Sequence, residues 1–154
     1  MAAGFALDQS GLGKLHSFLN ERLAAAASLP GSADLLVEGA LTVPGVTPEL
    51  AQHVSRLAPF GNGNEEPVFV VSHARVVRSD RVGRDGSTIR ALIEGEGGGA
   101  RLKALLFRAK HGLLAEYLLA QPGTPVHLAG HLRAEDWNGT VQAGLVVTDA
   151  AAGC

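Results

Sequence analysis

Cysteine is almost missing from this chain: the one copy, Cys154, is the last of 154 residues. A disulfide within the chain is therefore impossible, and nothing points to an oxidising compartment. Long apolar runs are missing too. No stretch approaches the roughly eighteen residues a membrane-crossing helix needs. The opening MAAGFALDQSG has neither a basic leader nor an extended apolar segment. We read no signal peptide and no membrane span, and expect a cytoplasmic location. Aromatic residues are scarce, with one Trp, one Tyr and five Phe, which limits any role that depends on stacked rings.

An excess of one charge is also absent, since the formal net charge is -2. That total hides a division. Residues 1–66 carry three basic and seven acidic side chains, whereas residues 67–154 carry ten basic and eight acidic ones. Arg75, Arg78, Arg81, Arg84 and Arg90 stand against only Asp80 and Asp85 between positions 75 and 90. A local basic stripe steers a polyanion even on a slightly acidic chain, although a solvated charged surface has the same composition.

What is present is apolar patterning: 46% of the residues are hydrophobic, enough for one full domain and a smaller neighbour. AAGFAL reads as a short strand at the start. Leu12, Leu15, Phe18, Leu19 and Leu23 recur at spacings of three and four, which predicts a helix from about Leu12 to Ala27. ADLLVEGAL, Ala33 to Leu41, reads as a second strand. VTPELAQHVSRL reads as a second helix capped by Thr47, with Pro48 at its first position and Leu50, Val54 and Leu57 on its buried stripe. Such a strand-helix-strand-helix fragment leaves a sheet edge in need of a partner.

From Pro67 the period changes to two. PVFVVSHARVV, STIRALIEG, RLKALLFRA, PVHLAGHLRA and TVQAGLVVTD are five successive strands, with one helix, HGLLAEYLLAQ, between the third and fourth. The expectation is a mainly β fold: a five-stranded OB-fold barrel preceded by a small α/β fragment, another five-stranded barrel topology being the alternative. Asn138-Gly139 suits the tight hairpin between the last two strands.

Several chemistries are disfavoured. His127 and His131 are four apart, about 13 Å on a strand, too far for one metal. His16, His53, His73 and His111 are scattered, and no metal site is read. Cys154 has nothing to activate it, and GLGK at Gly11 to Lys14 lacks phosphate-loop spacing. No catalytic residue is read. Gly61 and Gly63, in LAPFGNGNEEPVF, either present amides to an anion or form a structural joint, and the change of period across them favours the joint.

Nucleic-acid contact is the activity these residues support best. An OB barrel offers a groove across its second and third strands, which here carry Arg90 and then Arg101, Lys103 and Arg108. Alternation puts Arg101 and Lys103 on a shared face. Arg78, Arg81 and Arg84 fall around the loop between the first two strands, where they would supply phosphate contacts. Phe69 and Phe107 sit in apolar strands and Tyr117 in the helix, leaving Trp137 as the candidate stacking platform.

Four stretches together resemble one family. LAPFGNGNEEPVF (Leu57 to Phe69), RLKALLFR (Arg101 to Arg108), VHLAGHLRAEDWNG (Val126 to Gly139) and the opening MAAGFAL are similar to the C-terminal end of RecJ-type single-strand-specific DNA exonucleases. Pro59, Phe60, Gly61, Gly63, Asn64, Glu66, Pro67, Val68 and Phe69 match the family's EPFGxGNPEPVF joint, with Glu65 where proline is usual. Trp137, Asn138 and Gly139 match its last hairpin.

The resemblance implies the end of a DHHA1 domain over residues 1–56, a linker elbow over 57–66 and an OB-fold domain over 67–150. It also implies a catalytic DHH domain, binding two Mn or Mg ions and degrading single-stranded DNA from its 5′ end in recombination and repair. That domain, and the glycine-glycine-histidine motif before AAGF, are expected outside this chain. The chain itself would then bind single-stranded DNA without hydrolysing it and without a cofactor. The alternatives are an interaction module, docking through residues 1–56 on a separately encoded DHH domain or on a second copy, and a truncated product without a role.

Overall fold

The structure is a computed structural model that describes residues 6–27, 35–120, 123–137 and 139–153. The expected opening strand falls largely outside these residues. The chain divides into two compact units, the first ending at Leu35 and the second starting at Leu36.

The first unit contains a 3-10 turn, Gln9–Gly11, running into helix α1, Leu12–Ala27. The spacing of three and four forms a helix as expected. Of its stripe, Leu12, Phe18, Leu19 and Leu23 are exposed and Leu15 is partly buried, and the Arg22 guanidinium lies 5.2 Å from the centre of the Phe18 ring.

The second unit is a β barrel with two helices. In chain order it contains β1 (Gly39–Leu41), α2 (Pro48–Ser55), β2 (Phe69–Val82), β3 (Thr88–Gly95), β4 (Arg101–Leu106), α3 (Leu113–Ala120), β5 (Pro125–Trp137) and β6 (Thr140–Ala152). The sheet order is β1-β2-β3-β4-β6-β5, and β2 also pairs with β5, so the last five strands close into a ring. All barrel pairings are antiparallel except β4 with β6, which is parallel. This is the OB-fold arrangement, mainly β, with α3 between the third and fourth barrel strands.

Alternation fills the interior. Val71, Val76, Ile89, Ile93, Val126, Leu128, Leu132 and Leu145 are fully buried, and α3 adds Ala115 and Leu118. Side chains of this size contribute about 1.5–3 kcal/mol each on burial. β5 and β6 run so close at a register shift that a Cβ on Gly130 would stand 2.1 Å from the Val146 carbonyl oxygen, so only glycine fits.

The segment before the barrel is joined to it more closely than its sequence implies. Among the described residues of the expected ADLLVEGAL strand, Gly39–Leu41 forms, and it pairs in parallel with Phe69–Val71, which partners the edge left open in the sequence reading. α2 forms as expected, with the Thr47 hydroxyl accepting the Leu50 N–H at 3.2 Å and Pro48 opening the helix. Ala51 and Val54 are buried, and Leu50 packs against the core. Leu57 is not on that stripe: it lies past the last turn and is exposed.

Candidate nucleic-acid interface

On β3, Ile89, Ala91 and Ile93 point into the barrel, so Arg90, Leu92 and Glu94 point out. On β4, Leu102 and Ala104 point in, so Arg101, Lys103 and Leu105 point out. The register sets Arg90 beside Leu105, Leu92 beside Lys103 and Glu94 beside Arg101. β6 continues the row with Gly144 beside Lys103, and β5 with Arg133 beside Gly144. The result is an outward belt across β3, β4, β6 and β5 in which cations alternate with small or apolar residues.

Every cation of the belt has a carboxylate partner. Asp80 on β2 holds two: Arg78 Nε donates to its Oδ1 and Arg90 Nη2 to its Oδ2, each at 2.7 Å. These bonds, Arg90's first, hold the Asp80 carboxyl below its ordinary range. Arg101 Nε reaches Glu94 Oε1 at 3.5 Å. Lys103 pairs with Glu135 of β5, a reach across β6 that the missing side chain of Gly144 leaves open. Arg133 grips both oxygens of Glu66, depressing the Glu66 carboxyl and raising its own value. The belt is pre-organised and close to charge-balanced.

The other expected contacts go to different places. β2 is longer than the period suggested, running to Val82, so Arg78 and Arg81 lie on the strand and only Arg84 lies in the loop. Arg81 is a clamp: its Nη1 donates to the carbonyls of Gly86 at 3.2 Å and Ala109 at 2.6 Å, tying the β2–β3 loop to the segment after β4. Asp85 in the same loop is held at about 2 by the Ser87 hydroxyl first and then by Lys110. Arg84 and Arg108 are exposed, without an ion-pair partner among the described residues. Arg108 lies beyond β4 at φ 56°. Trp137 ends β5 opposite Thr140, and its side chain falls outside the described residues, as does Asn138 of the hairpin.

Phe107 is half-exposed just past the end of β4, in the same phase as the outward-facing Arg101, Lys103 and Leu105. Phe69 and Tyr117 pack against the core. The FGNGN joint folds back on itself: the Gly61 and Asn64 N–H groups donate to each other's carbonyls at 2.9 and 3.0 Å, and Asn64 Nδ2 donates to the Leu57 and Pro59 carbonyls. Those two amides are spent within the turn, and Glu66 fastens its far end to Arg133 on β5.

His127 and His131 meet different neighbours, the His73 backbone N–H and the Pro67 carbonyl. Among the described residues, no three His, Cys, Asp or Glu side chains come together as metal ligands.

A family model described as the RecJ OB domain matches residues 37–149. The chain belongs to that family. RecJ from Thermus thermophilus in its Mn2+ complex is 26% identical, with a TM-score of 0.58, covering 96% of this chain and 20% of that one. The Mg2+ complex of the same protein is 25% identical, with a TM-score of 0.56, covering 96% of this chain and 21% of that one. This RecJ OB chain thus spans about a fifth of the length of the RecJ structures it matches. No curated protein sequence matches it.

Asp80, Glu94, Glu135, Glu66 and Arg133 are site residues that sequence reasoning passed over. Two of the pairs carry a sequence signal, because Asp80 and Arg90, like Glu94 and Arg101, sit symmetrically about a glycine-containing turn. Lys103 with Glu135 and Glu66 with Arg133 carry none, since only the closed barrel brings them together.

Proposed function

We propose that this RecJ OB module grips single-stranded DNA on the outer face of β3 and β4, and that it does so without cleaving it. The observation that carries this reading is the convergence of Arg78, Arg90, Arg101 and Lys103 on one outward face beside Leu92 and Leu105. Guanidinium and ammonium groups meet the phosphates, and the apolar side chains between them lie against sugars and base faces. With so few aromatic side chains, the grip is mainly electrostatic and weak in base preference. Arg84 and Arg108 extend it at the loop ends. In this reading Mn or Mg and the hydrolysis belong to a DHH catalytic domain.

The test is a fluorescence-anisotropy titration of a labelled oligo-dT at low and physiological salt, with a duplex control. Salt-sensitive binding that favours the single strand is expected, and no binding at low salt sinks the proposal. Trp137→Ala is expected to cost roughly 1–3 kcal/mol of binding, as for a stacked base. If that variant instead unfolds, the ring belongs to the core.

A second reading rests on α1, whose Leu12, Phe18, Leu19 and Leu23 are left exposed. Such a stripe suits docking on a catalytic domain or on a second copy. Sedimentation of the wild type against Phe18→Glu with Leu19→Glu checks the self-association arm: a monomer at all concentrations rules it out.

A further inference from the structure

We propose that Asp80 is a built-in substitute for a phosphate group: it fills the seat made by Arg78 and Arg90 and competes there with the backbone of a bound single strand. The inference rests on the DNA-binding reading above. A phosphodiester presents two non-bridging oxygens that share one negative charge. Asp80 presents two carboxylate oxygens with the same charge, one bound to Arg78 and the other to Arg90, each at 2.7 Å. Among the described residues, Asp80 is the belt carboxylate shared by two arginines; Glu94 and Glu135 each pair with one arginine or lysine, and Glu66 with Arg133 and, at 3.8 Å, the His131 ring.

The geometry allows exchange. Asp80 is 27% exposed, whereas the Arg78 and Arg90 side chains are 76% and 52% exposed. Each guanidinium uses one nitrogen on Asp80 and keeps its remaining N–H groups for an incoming anion. The seat opens onto a depression lined by Arg78, Asp80, Arg90, Ala91, Leu92 and Lys103, so a phosphate at the arginines leaves its nucleotide beside Leu92. A phosphate joins the outer N–H groups first, and Asp80 then loses its share of both arginines. Until then its negative charge repels the strand. The consequence is a face that recognises the backbone but holds it loosely, with fast release.

Asp80→Asn keeps the shape and removes the charge. Its affinity for labelled oligo-dT at low salt is expected to rise roughly threefold to tenfold, the scale of one or two exposed ion pairs. The slope of log K against log salt should steepen by about 0.7, one more phosphate neutralised. Asp149→Asn on β6 makes the same charge change outside the belt and should alter affinity less than about twofold. Adding Arg90→Gln to Asp80→Asn should abolish the gain.

An Asp80→Asn protein that binds no better than Asp149→Asn, or worse than wild type, overturns the proposal. Absence of wild-type binding removes the DNA-binding reading instead. Should Asp80→Asn fail to fold, the Arg78 Nε–Hε NMR signal of the wild-type chain decides. It should move as oligo-dT is added, and a signal that stays fixed while binding proceeds overturns the inference.

Discussion

The outer face of β3 and β4 and the barrel end where the β2–β3 loop meets the segment after β4 are both served by arginines of β2, and they use them differently. Arg78 lies mostly in solvent and is held by a side-chain carboxylate that another anion can replace. Arg81, three residues later, spends its guanidinium on two backbone carbonyls, Gly86 and Ala109, that no ligand replaces. A cation facing a carboxylate on an open face is available for exchange. One facing carbonyls that would otherwise lack a donor is part of the fold.

The largest expected effect tests the clamp. Arg81→Met should cost about 2 kcal/mol in urea denaturation, the range for hydrogen bonds from a charged donor. It should leave oligo-dT affinity of the folded protein within about twofold. If Arg81→Met keeps its stability and loses DNA binding, the division between the two regions fails.

The next effect tests the face. Arg101→Gln with Lys103→Gln should leave stability within about 0.5 kcal/mol, because both pairs are exposed or half-exposed. It should weaken oligo-dT binding about tenfold at low salt, equivalent to about 1.4 kcal/mol. The salt slope should become shallower by about 1.4, two phosphate contacts at about 0.7 each. An unchanged slope would remove both residues as phosphate contacts.

Local periodicity carried much of this architecture. The α1 and α2 helices, the α3 insertion, the barrel strands and the face shared by Arg101 and Lys103 all follow from spacings within a few residues. What stayed hidden depends on separation in the chain. β1 finds its partner at Phe69, and Lys103 finds Glu135 across another strand. The basic stripe from Arg75 to Arg90 looks uniform as a string, yet it divides into exchangeable and structural arginines once Gly86 and Ala109 are in place. Phe107 looked like core because its stretch is apolar, yet it falls in the outward phase of Arg101, Lys103 and Leu105 and is half-exposed.

The smallest effect concerns Glu66, which stands between the two uses of arginine, since its bidentate partner Arg133 belongs to the belt while the pair fastens the FGNGN joint to β5. Arg133's hydrogen bond is the main cause of its depressed carboxyl value, and His131, 3.8 Å from Glu66, adds to it. A carboxyl depressed in the folded state stabilises fully above its unfolded value of about 4.3, and the contribution is lost as pH falls through the lower folded value. Between about pH 7 and about pH 3, wild type should therefore lose roughly 0.5–1 kcal/mol more stability than Glu66→Gln, the scale of a partly exposed pair. Urea midpoints at the two pH values measure this. If the two proteins lose stability equally, the Glu66–Arg133 pair does not hold the joint, and Arg133 passes to the exchangeable class with Arg78.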